Sequence, residues 1–217
     1  MKKKEKKATH ISIPAAEEKE RFHIRIYILP ILLIALLTAF DQLTKYMVTS
    51  SFALYESRVV IKNILSFTYI RNAGVAWGMF QGKRIVFLVL TAVVLLFCFY
   101  LYANIAEQKK YRLLRIALIV LVSGAVGNMI DRIKLGYVVD FFCLEFINFP
   151  IFNVADIFVV VSMIGIFLLI MFKYSNEEFD EILGIWKKAG HHGEHHGEKA
   201  EHDDKKNEQS DKGEGEV

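Results

Sequence analysis

Four long apolar stretches constrain this chain more than any other feature of its sequence. They cover about residues 24–46, 84–105, 113–130 and 156–174. A helix needs roughly 20 mainly apolar residues to cross the hydrocarbon core of a bilayer, and each stretch comes close to that length. The charged residues gather mainly towards the two ends of the chain. We therefore expect an all-α membrane protein with four transmembrane helices.

Basic residues predict how the four spans are oriented. One group precedes the first span and another lies at the short connection between the second and third: Lys2, Lys3, Lys4, Lys6, Lys7, Arg21 and Arg25, then Lys109, Lys110, Arg112 and Arg115. Cytoplasmic loops of membrane proteins carry an excess of Lys and Arg. Both termini should then be cytoplasmic, and the segments of about 47–83 and 131–155 should face outward.

The segments outside the spans also show patterns. Strand-like runs at 58–61 and 65–70, separated by Lys62 and Asn63, predict a small sheet on the outer surface. After the fourth span, Phe179, Ile182, Leu183 and Trp186 repeat at helical spacing beside Lys187 and Lys188, which is typical of a short helix on the inner membrane surface. The predicted parts are a basic cytoplasmic extension (1–23), a four-span domain (24–174), an interfacial helix (175–190) and a disordered His-rich cytoplasmic tail (191–217).

Ionisable residues collect at one level, the outward ends of the spans. Asp41 and Lys45 lie near the end of the first span, Asp131 and Arg132 near the end of the third, and Asp156 at the start of the fourth, with Asp140 on the loop between the last two. An ionisable side chain at membrane depth is costly unless it is paired or hydrated. Such a cluster therefore indicates a functional site.

Several of these residues also have structural interpretations. Asp41 and Lys45, spaced i, i+4, could form an ion pair on one helix face, and Asp131 with Arg132 could end the third span or link it to a neighbour. Asp156, three residues after Asn153, could be a first-turn acid stabilised by the helix dipole. Asp140 has no evident basic partner in an apolar stretch, where desolvation would raise its pKa and suit it to proton transfer.

The residue types limit the chemistry that is possible here. No histidine occurs between Ile24 and Gly190, which excludes Ser-His, Cys-His and His-ligated zinc mechanisms inside the membrane domain. Cys98 and Cys143 lack metal-ligand spacing, and a net charge of +3 without a basic stripe argues against nucleic-acid binding. A Ser-Lys dyad would have to use Lys45, and the spacing of Lys45 favours an ion pair with Asp41 instead. What remains is a pair of carboxylates sharing one proton, for which Asp140 and Asp156 are the candidates.

Four motifs together resemble those of lipoprotein signal peptidase, also called signal peptidase II. They are Asp41-Gln-Leu-Thr-Lys45, Arg71-Asn-Ala-Gly-Val-Ala76, Gly127-Asn-Met-Ile-Asp-Arg132 continuing to Val139-Asp-Phe141, and Phe152-Asn-Val-Ala-Asp156. Their order and placement match that family over roughly residues 24–174. Members of this family are membrane aspartic endopeptidases that remove signal peptides from diacylglyceryl prolipoproteins. They cut before the lipidated cysteine, and globomycin inhibits them.

This resemblance implies roles for particular residues. Asp140 and Asp156 would be the catalytic aspartates, Asn72 and Gly74 would line the substrate groove, and Asp41 and Lys45 would brace the site. Support or substrate contact would come from Asn128, Asp131, Arg132 and Asn153. The resemblance also implies a small extracytoplasmic β-cradle with a short helix, no metal and no cofactor, and a monomer in the bacterial cytoplasmic membrane with its active site at the outer face.

Other functions are compatible with buried acids in a membrane protein. A small proton-coupled carrier would use the same aspartates as relay groups, but it predicts charged or broken positions near the bilayer midplane and an internal repeat, which the sequence lacks. A non-catalytic scaffold would not need an unpaired acid such as Asp140. A lipid-modifying transferase would be expected to carry a metal-binding acidic cluster.

Overall fold

Four apolar helices dominate the computed structural model, which describes residues 24–74, 84–105 and 108–184. They are α1 (Leu29–Ser51), α2 (Arg84–Ile105), α3 (Arg112–Lys134) and α4 (Val154–Phe172). A π-helical turn, Ile24–Ile28, precedes α1, and a 3₁₀ turn, Lys109–Tyr111, precedes α3. Within the described residues these four helices are long and apolar enough to cross a membrane. A short fifth helix, α5 (Asn176–Ile182), follows them.

Three short strands form one antiparallel sheet in the order β1-β2-β3. Their bounds are Ser57–Ile61, Leu65–Asn72 and Val138–Leu144. Asn63 turns the chain between β1 and β2 with a φ of 61°, a conformation that Asn tolerates better than most residues. Gly136, with a φ of 84°, ends α3 and directs the chain into β3. In the β2–β3 register Ile70 lies opposite Asp140, and Asn72 lies opposite Val138.

Helix α3 lies at the centre of the fold, because it contacts each of the other three membrane helices. Small residues let its neighbours approach closely. A Cβ added to Gly124 would collide with the backbone oxygen of Ala155 on α4. Thr38 of α1 donates a hydrogen bond to the backbone oxygen of Ser123 on α3 at 3.2 Å. Close backbone contact and hydrogen bonds of this kind are what hold helices together in lipid, where apolar burial gives little driving force.

Two apolar clusters lie at opposite ends of the helices. One packs the sheet against the helix ends and contains Val48, Tyr69, Val139, Phe141 and Val154. The other joins α2, α3 and α5 at the far end and contains Cys98, Ile105, Tyr111, Leu114, Leu118 and Ile182. The first cluster fixes the sheet, and with it Asp140, over the ends of α1 and α4.

The predicted fold class is confirmed in its four membrane helices and its small sheet. The placement of Asp140 on a loop was wrong, because Asp140 lies inside strand β3. Ile182 of helix α5 is buried against the bundle, and the place of this helix at the inner membrane surface stays a prediction. The division of the chain into four parts stays a prediction. Several predicted features lie outside the described residues: the two terminal parts of this division, Trp186 and residues 75–83.

Two glycines on neighbouring helices give a test of this close contact. Gly124→Ala should lower the melting temperature in detergent by the equivalent of about 1–3 kcal/mol, because the added methyl group meets backbone that cannot move aside. Gly165 of α4 has nothing within 4 Å of an added Cβ, so Gly165→Ala should be neutral or stabilising by up to about 1 kcal/mol. Equal melting temperatures for the two variants would contradict the α3–α4 contact described here.

Candidate active site

A buried lysine lies at the base of the site. The ammonium nitrogen of Lys45 lies 2.9 Å from Asp41 Oδ2 and 3.0 Å from Asp131 Oδ2, and it donates a hydrogen bond to Asn128 Oδ1 at 2.9 Å. All four side chains are buried. A lysine ammonium has three donor hydrogens, and here each has an oxygen acceptor. Two carboxylates flank this one cation, so α1 and α3 are joined by paired charges instead of carrying isolated ones.

The two carboxylates of this cluster also hold backbone in place. Asp41 Oδ1 accepts a hydrogen bond from the backbone N–H of Ala155 at 2.9 Å, in the first turn of α4. Asp131 Oδ2 accepts one from the backbone N–H of Val139 at 3.2 Å, directly before Asp140. Gly127 leaves room for this arrangement, because an added Cβ would lie 2.5 Å from Asp41 Oδ2. The ion cluster thus positions the segments that carry Asp140 and Asp156.

Two asparagines connect the ion cluster to those aspartates. Asn128 accepts from Lys45 through Oδ1 and donates through Nδ2 to Asp156 Oδ1 at 2.8 Å. Asn153 donates through Nδ2 to Asp140 Oδ1 at 2.6 Å and to Asn128 Oδ1 at 3.1 Å. Asn153 also begins α4 in a capping box, because its backbone N–H donates to Asp156 Oδ2 and its Oδ1 accepts from the Asp156 N–H. One residue, Asn153, therefore contacts both carboxyl groups.

Asp140 is the more buried of these two acids, with only 2% of its surface exposed. Asn72 of β2 donates a hydrogen bond to its Oδ2 at 2.9 Å, while the Asn72 Oδ1 accepts from the backbone N–H of Gly74. Burial, and then the negative charge of Asp156, raise the pKa of Asp140 to about 7, although the amides of Asn72 and Asn153 favour its ionised form. Near neutral pH this carboxyl group can therefore hold or release a proton.

A cavity of about 530 Å³ opens beside the two aspartates. Its polar lining comes from Asn72, Arg132, Asp140 and Asp156. The rest, apart from Gly74 and Pro150, is apolar: Leu144, Phe149, Ile151, Phe152, Ile157, Val160 and Val161. Val160 and Val161 are 53% and 61% exposed on α4, so this wall of the cavity faces the surroundings of the helix bundle. The site therefore combines two carboxyl groups with a surface suited to an apolar chain.

Such a pair of carboxyl groups can perform acid–base chemistry without a further base. The ionised member can take a proton from water while the protonated member donates to a carbonyl oxygen. The buried setting strengthens both interactions, since little water competes for them. The arrangement therefore suits hydrolysis of a peptide bond brought into the cavity.

The structure brings the predicted site residues into two layers. Asn72, Gly74, Arg132, Asp140 and Asp156 line the cavity. The second layer consists of Asp41, Lys45, Asn128, Asp131 and Asn153, which are buried behind it. The predicted ion pair of Asp41 with Lys45 is present, and Asp131 links α3 to the neighbouring α1 through Lys45, which was one of its two structural interpretations.

Sequence reasoning overlooked two parts of the site. Gln42 donates to Asp131 Oδ1 at 2.8 Å and to the backbone oxygen of Gly127 at 3.2 Å, so it joins α1 to α3. Its signal was a polar amide beside Asp41 at the end of a span. Strand β3 was also overlooked, and its signal was the run of β-branched and aromatic residues that follows Gly136.

The sequence is similar to those of known proteins. Residues 33–173 match the family described as signal peptidase (SPase) II. A lipoprotein signal peptidase of Enterococcus faecalis is 42% identical over 147 residues, which cover 68% of this chain and 90% of that protein. One from Latilactobacillus sakei is 40% identical over 146 residues, which cover 67% of this chain and 95% of that protein.

Solved structures are similar as well. Two are described as a bacterial membrane enzyme solved by the in meso method. The first, at 2.3 Å, is 31% identical with a TM-score of 0.58, and the match covers 77% of this chain and 93% of that one. The second, at 1.9 Å, is 32% identical with a TM-score of 0.59, over 68% and 96% of the two chains.

The ion cluster predicts a large stability effect at Lys45. Lys45→Met keeps the length of the side chain but leaves Asp41 and Asp131 buried without their cation, which should cost about 3–5 kcal/mol of unfolding free energy. Adding Asp131→Asn should recover part of that loss. Lys62→Met, at an exposed lysine between β1 and β2, is the control and should change stability by less than about 0.5 kcal/mol. If thermal unfolding in detergent gave Lys45→Met the melting temperature of Lys62→Met, the central role of this cluster would be wrong.

Proposed function

Because the chain belongs to the signal peptidase II family of membrane aspartic peptidases, we propose that Asp140 and Asp156 are the pair with which it hydrolyses its substrate. The chain is an integral membrane enzyme that removes signal peptides from prolipoproteins. The observation that carries the assignment is the double contact of Asn153, which donates to both carboxyl groups beside one cavity. The carrier interpretation is therefore set aside.

The pair holds one proton in the active state. The ionised carboxylate takes a proton from a water molecule, and the water oxygen bonds to the carbonyl carbon of the scissile peptide. The protonated carboxyl group gives its proton to the carbonyl oxygen, so a neutral tetrahedral diol forms. When the diol collapses, the C–N bond breaks and the leaving nitrogen receives a proton from the carboxyl group that was charged at the start. The shared proton returns to the pair as the new carboxyl end forms.

The apolar part of the cavity can bind the lipid that the substrate carries. We assign the diacylglyceryl chains of a modified precursor to the wall formed by Phe149, Ile157, Val160 and Val161, which is continuous with the surface exposed to the membrane. Cleavage before the lipidated cysteine would then place the scissile bond between this wall and the two aspartates. The enzyme acts as a monomer in this proposal, because the described residues of one chain supply both carboxyl groups and the cavity.

The orientation follows from the basic residues of the termini and of the connection before α3. With both termini in the cytoplasm, the sheet, the cavity and the two aspartates lie at the outer boundary of the bacterial cytoplasmic membrane. A precursor anchored by its lipid in the outer leaflet reaches the cavity from the side.

Replacing either aspartate should stop turnover without unfolding the protein. Asp140→Asn and Asp156→Asn keep the shape of the side chain but remove its exchangeable proton, and loss of general acid–base catalysis costs about 10²–10⁴-fold or more. The double variant should be no slower than either single one, because the two groups act as a unit. The measurement is processing of a purified diacylglyceryl precursor, with binding of that precursor determined separately and expected to persist.

The control for this experiment is Asp180→Asn in α5, the same chemical change far from the cavity. It should retain normal turnover. A single variant at 140 or 156 that kept near-normal turnover would contradict the assignment of the pair.

The reaction should lose rate as the pH rises through about 7. The pKa of Asp140 is raised to about 7, so its proton is present below that pH and is lost above it. The free energy of unfolding should also fall as the pH rises through this range. A carboxyl group whose pKa is raised in the folded state stabilises that state at low pH and loses this contribution at high pH. We expect kcat/KM to fall about tenfold for each pH unit above the apparent pKa of the pair. A rate that still increases up to pH 9, with the protein folded, would contradict the shared proton.

Reporter fusions test the orientation. A reporter after Val217 should behave as cytoplasmic, and one inserted near Ser57 at the start of β1 should behave as extracytoplasmic. The control is the same reporter placed in the connection before α3, which should match the first fusion. Detection of the Val217 and Ser57 reporters on the same side of the membrane would contradict the proposed topology.

A further inference from the structure

Arg132 is the only basic side chain that lines the cavity among the described residues. Yet it forms no ion pair within 4.0 Å with any carboxylate of those residues, although Asp140 and Asp156 line the same cavity. Within the described part of the chain its side chain makes one hydrogen bond, which is long, 3.4 Å from Nη1 to the backbone oxygen of Asn128. A guanidinium beside two acids would ordinarily pair with one of them in a bidentate contact. Something else must hold it in this position.

An aromatic ring on another helix holds Arg132 in this position. The guanidinium carbon of Arg132 lies 5.1 Å from the centre of the Phe87 ring, within the range of a cation–π contact. Phe87 is itself fixed near the start of α2, where Arg84 donates from Nη2 to the backbone oxygen of Ile133, next to Arg132. The start of α2 and the end of α3 are thus joined at two adjacent points.

We propose that Phe87 is a positioning residue, which holds the Arg132 guanidinium apart from the two aspartates so that it can bind oxygen acceptors of the incoming precursor. This inference rests on the proposed function, because it takes the cavity to be the place where the precursor binds. Four of the five N–H donors of the guanidinium have no hydrogen-bond partner among the described residues. Peptide or ester carbonyl oxygens of the precursor have the chemistry to accept from them.

The same contact protects the shared proton. If the Phe87 ring were lost, Arg132 could move onto one of the aspartates and stabilise its ionised form. The charged groups around Asp140 are Asp156 on α4, Lys45 on α1, and Asp131 with Arg132 on α3. Lys45 is already held by two carboxylates, so Arg132 is the cation whose position can change. Loss of the ring should therefore weaken precursor binding and move the alkaline limb of the pH profile to lower pH.

The test is graded substitution of Phe87 in the full-length protein. Phenylalanine analogues with an increasing number of ring fluorines keep the shape of the ring and progressively remove its negative face. KM for a diacylglyceryl precursor should rise in step with fluorination and kcat should change little. Phe87→Leu should lower kcat/KM by roughly two- to thirtyfold, the factor to which a cation–π contact corresponds, and Phe87→Trp should retain activity.

The matched control is Phe97→Leu, at an exposed phenylalanine of the same helix, which should leave KM and the pH profile unchanged. A Phe87→Leu loss that fluorination does not reproduce would show a packing role and overturn the inference, as would an alkaline limb that does not move. These results differ from a failure of the proposed function itself. In that case the wild-type protein would not process the precursor at all.

Discussion

The contact of Lys45 with Asp41 and Asp131 is the interaction on which the rest of the site depends. A charge at the end of a membrane span is costly unless it is paired, and in this cluster each of the three charged side chains, which come from two helices, lies beside a group of opposite charge. The spare carboxylate oxygens then accept from the backbone of β3 and α4. The cluster forms because buried charges must be paired, and it also fixes the positions of both aspartates of the cavity.

Asparagine suits the layer between the ion cluster and the aspartates because its side chain both donates and accepts. Asn128 accepts from the lysine and donates to Asp156, and Asn153 donates to Asp140 while it caps α4. Neither adds a charge, so they orient the acids without bringing a further cation into direct contact with them. A raised pKa at Asp140 is the consequence, since burial and the neighbouring acid dominate over two neutral amide donors.

Much of this organisation could be predicted from the sequence. Apolar length predicted the four helices, and the concentration of acids at the span ends located the site, because a bilayer leaves few alternatives for either. The position of Asp140 was harder. Strand β3 exists because β2 lies beside it and Asp131 accepts from Val139, and neither contact is visible in a local pattern. The partner through which Asp131 links α3 to its neighbour was likewise set by tertiary structure, since Lys45 is remote in sequence.

Infrared spectroscopy of the carboxyl groups measures directly whether Asp140 and Asp156 share one proton near neutral pH. The wild-type protein should show the C=O band of a protonated carboxyl group that disappears as the pH rises through about 7. In Asp140→Asn that transition should be absent, because the titrating carboxyl group is gone. In Asp156→Asn it should move to lower pH, because Asp140 loses its charged neighbour but stays buried. The absence of such a band in the wild-type protein at pH 6, or an unchanged transition in either variant, would contradict the shared proton.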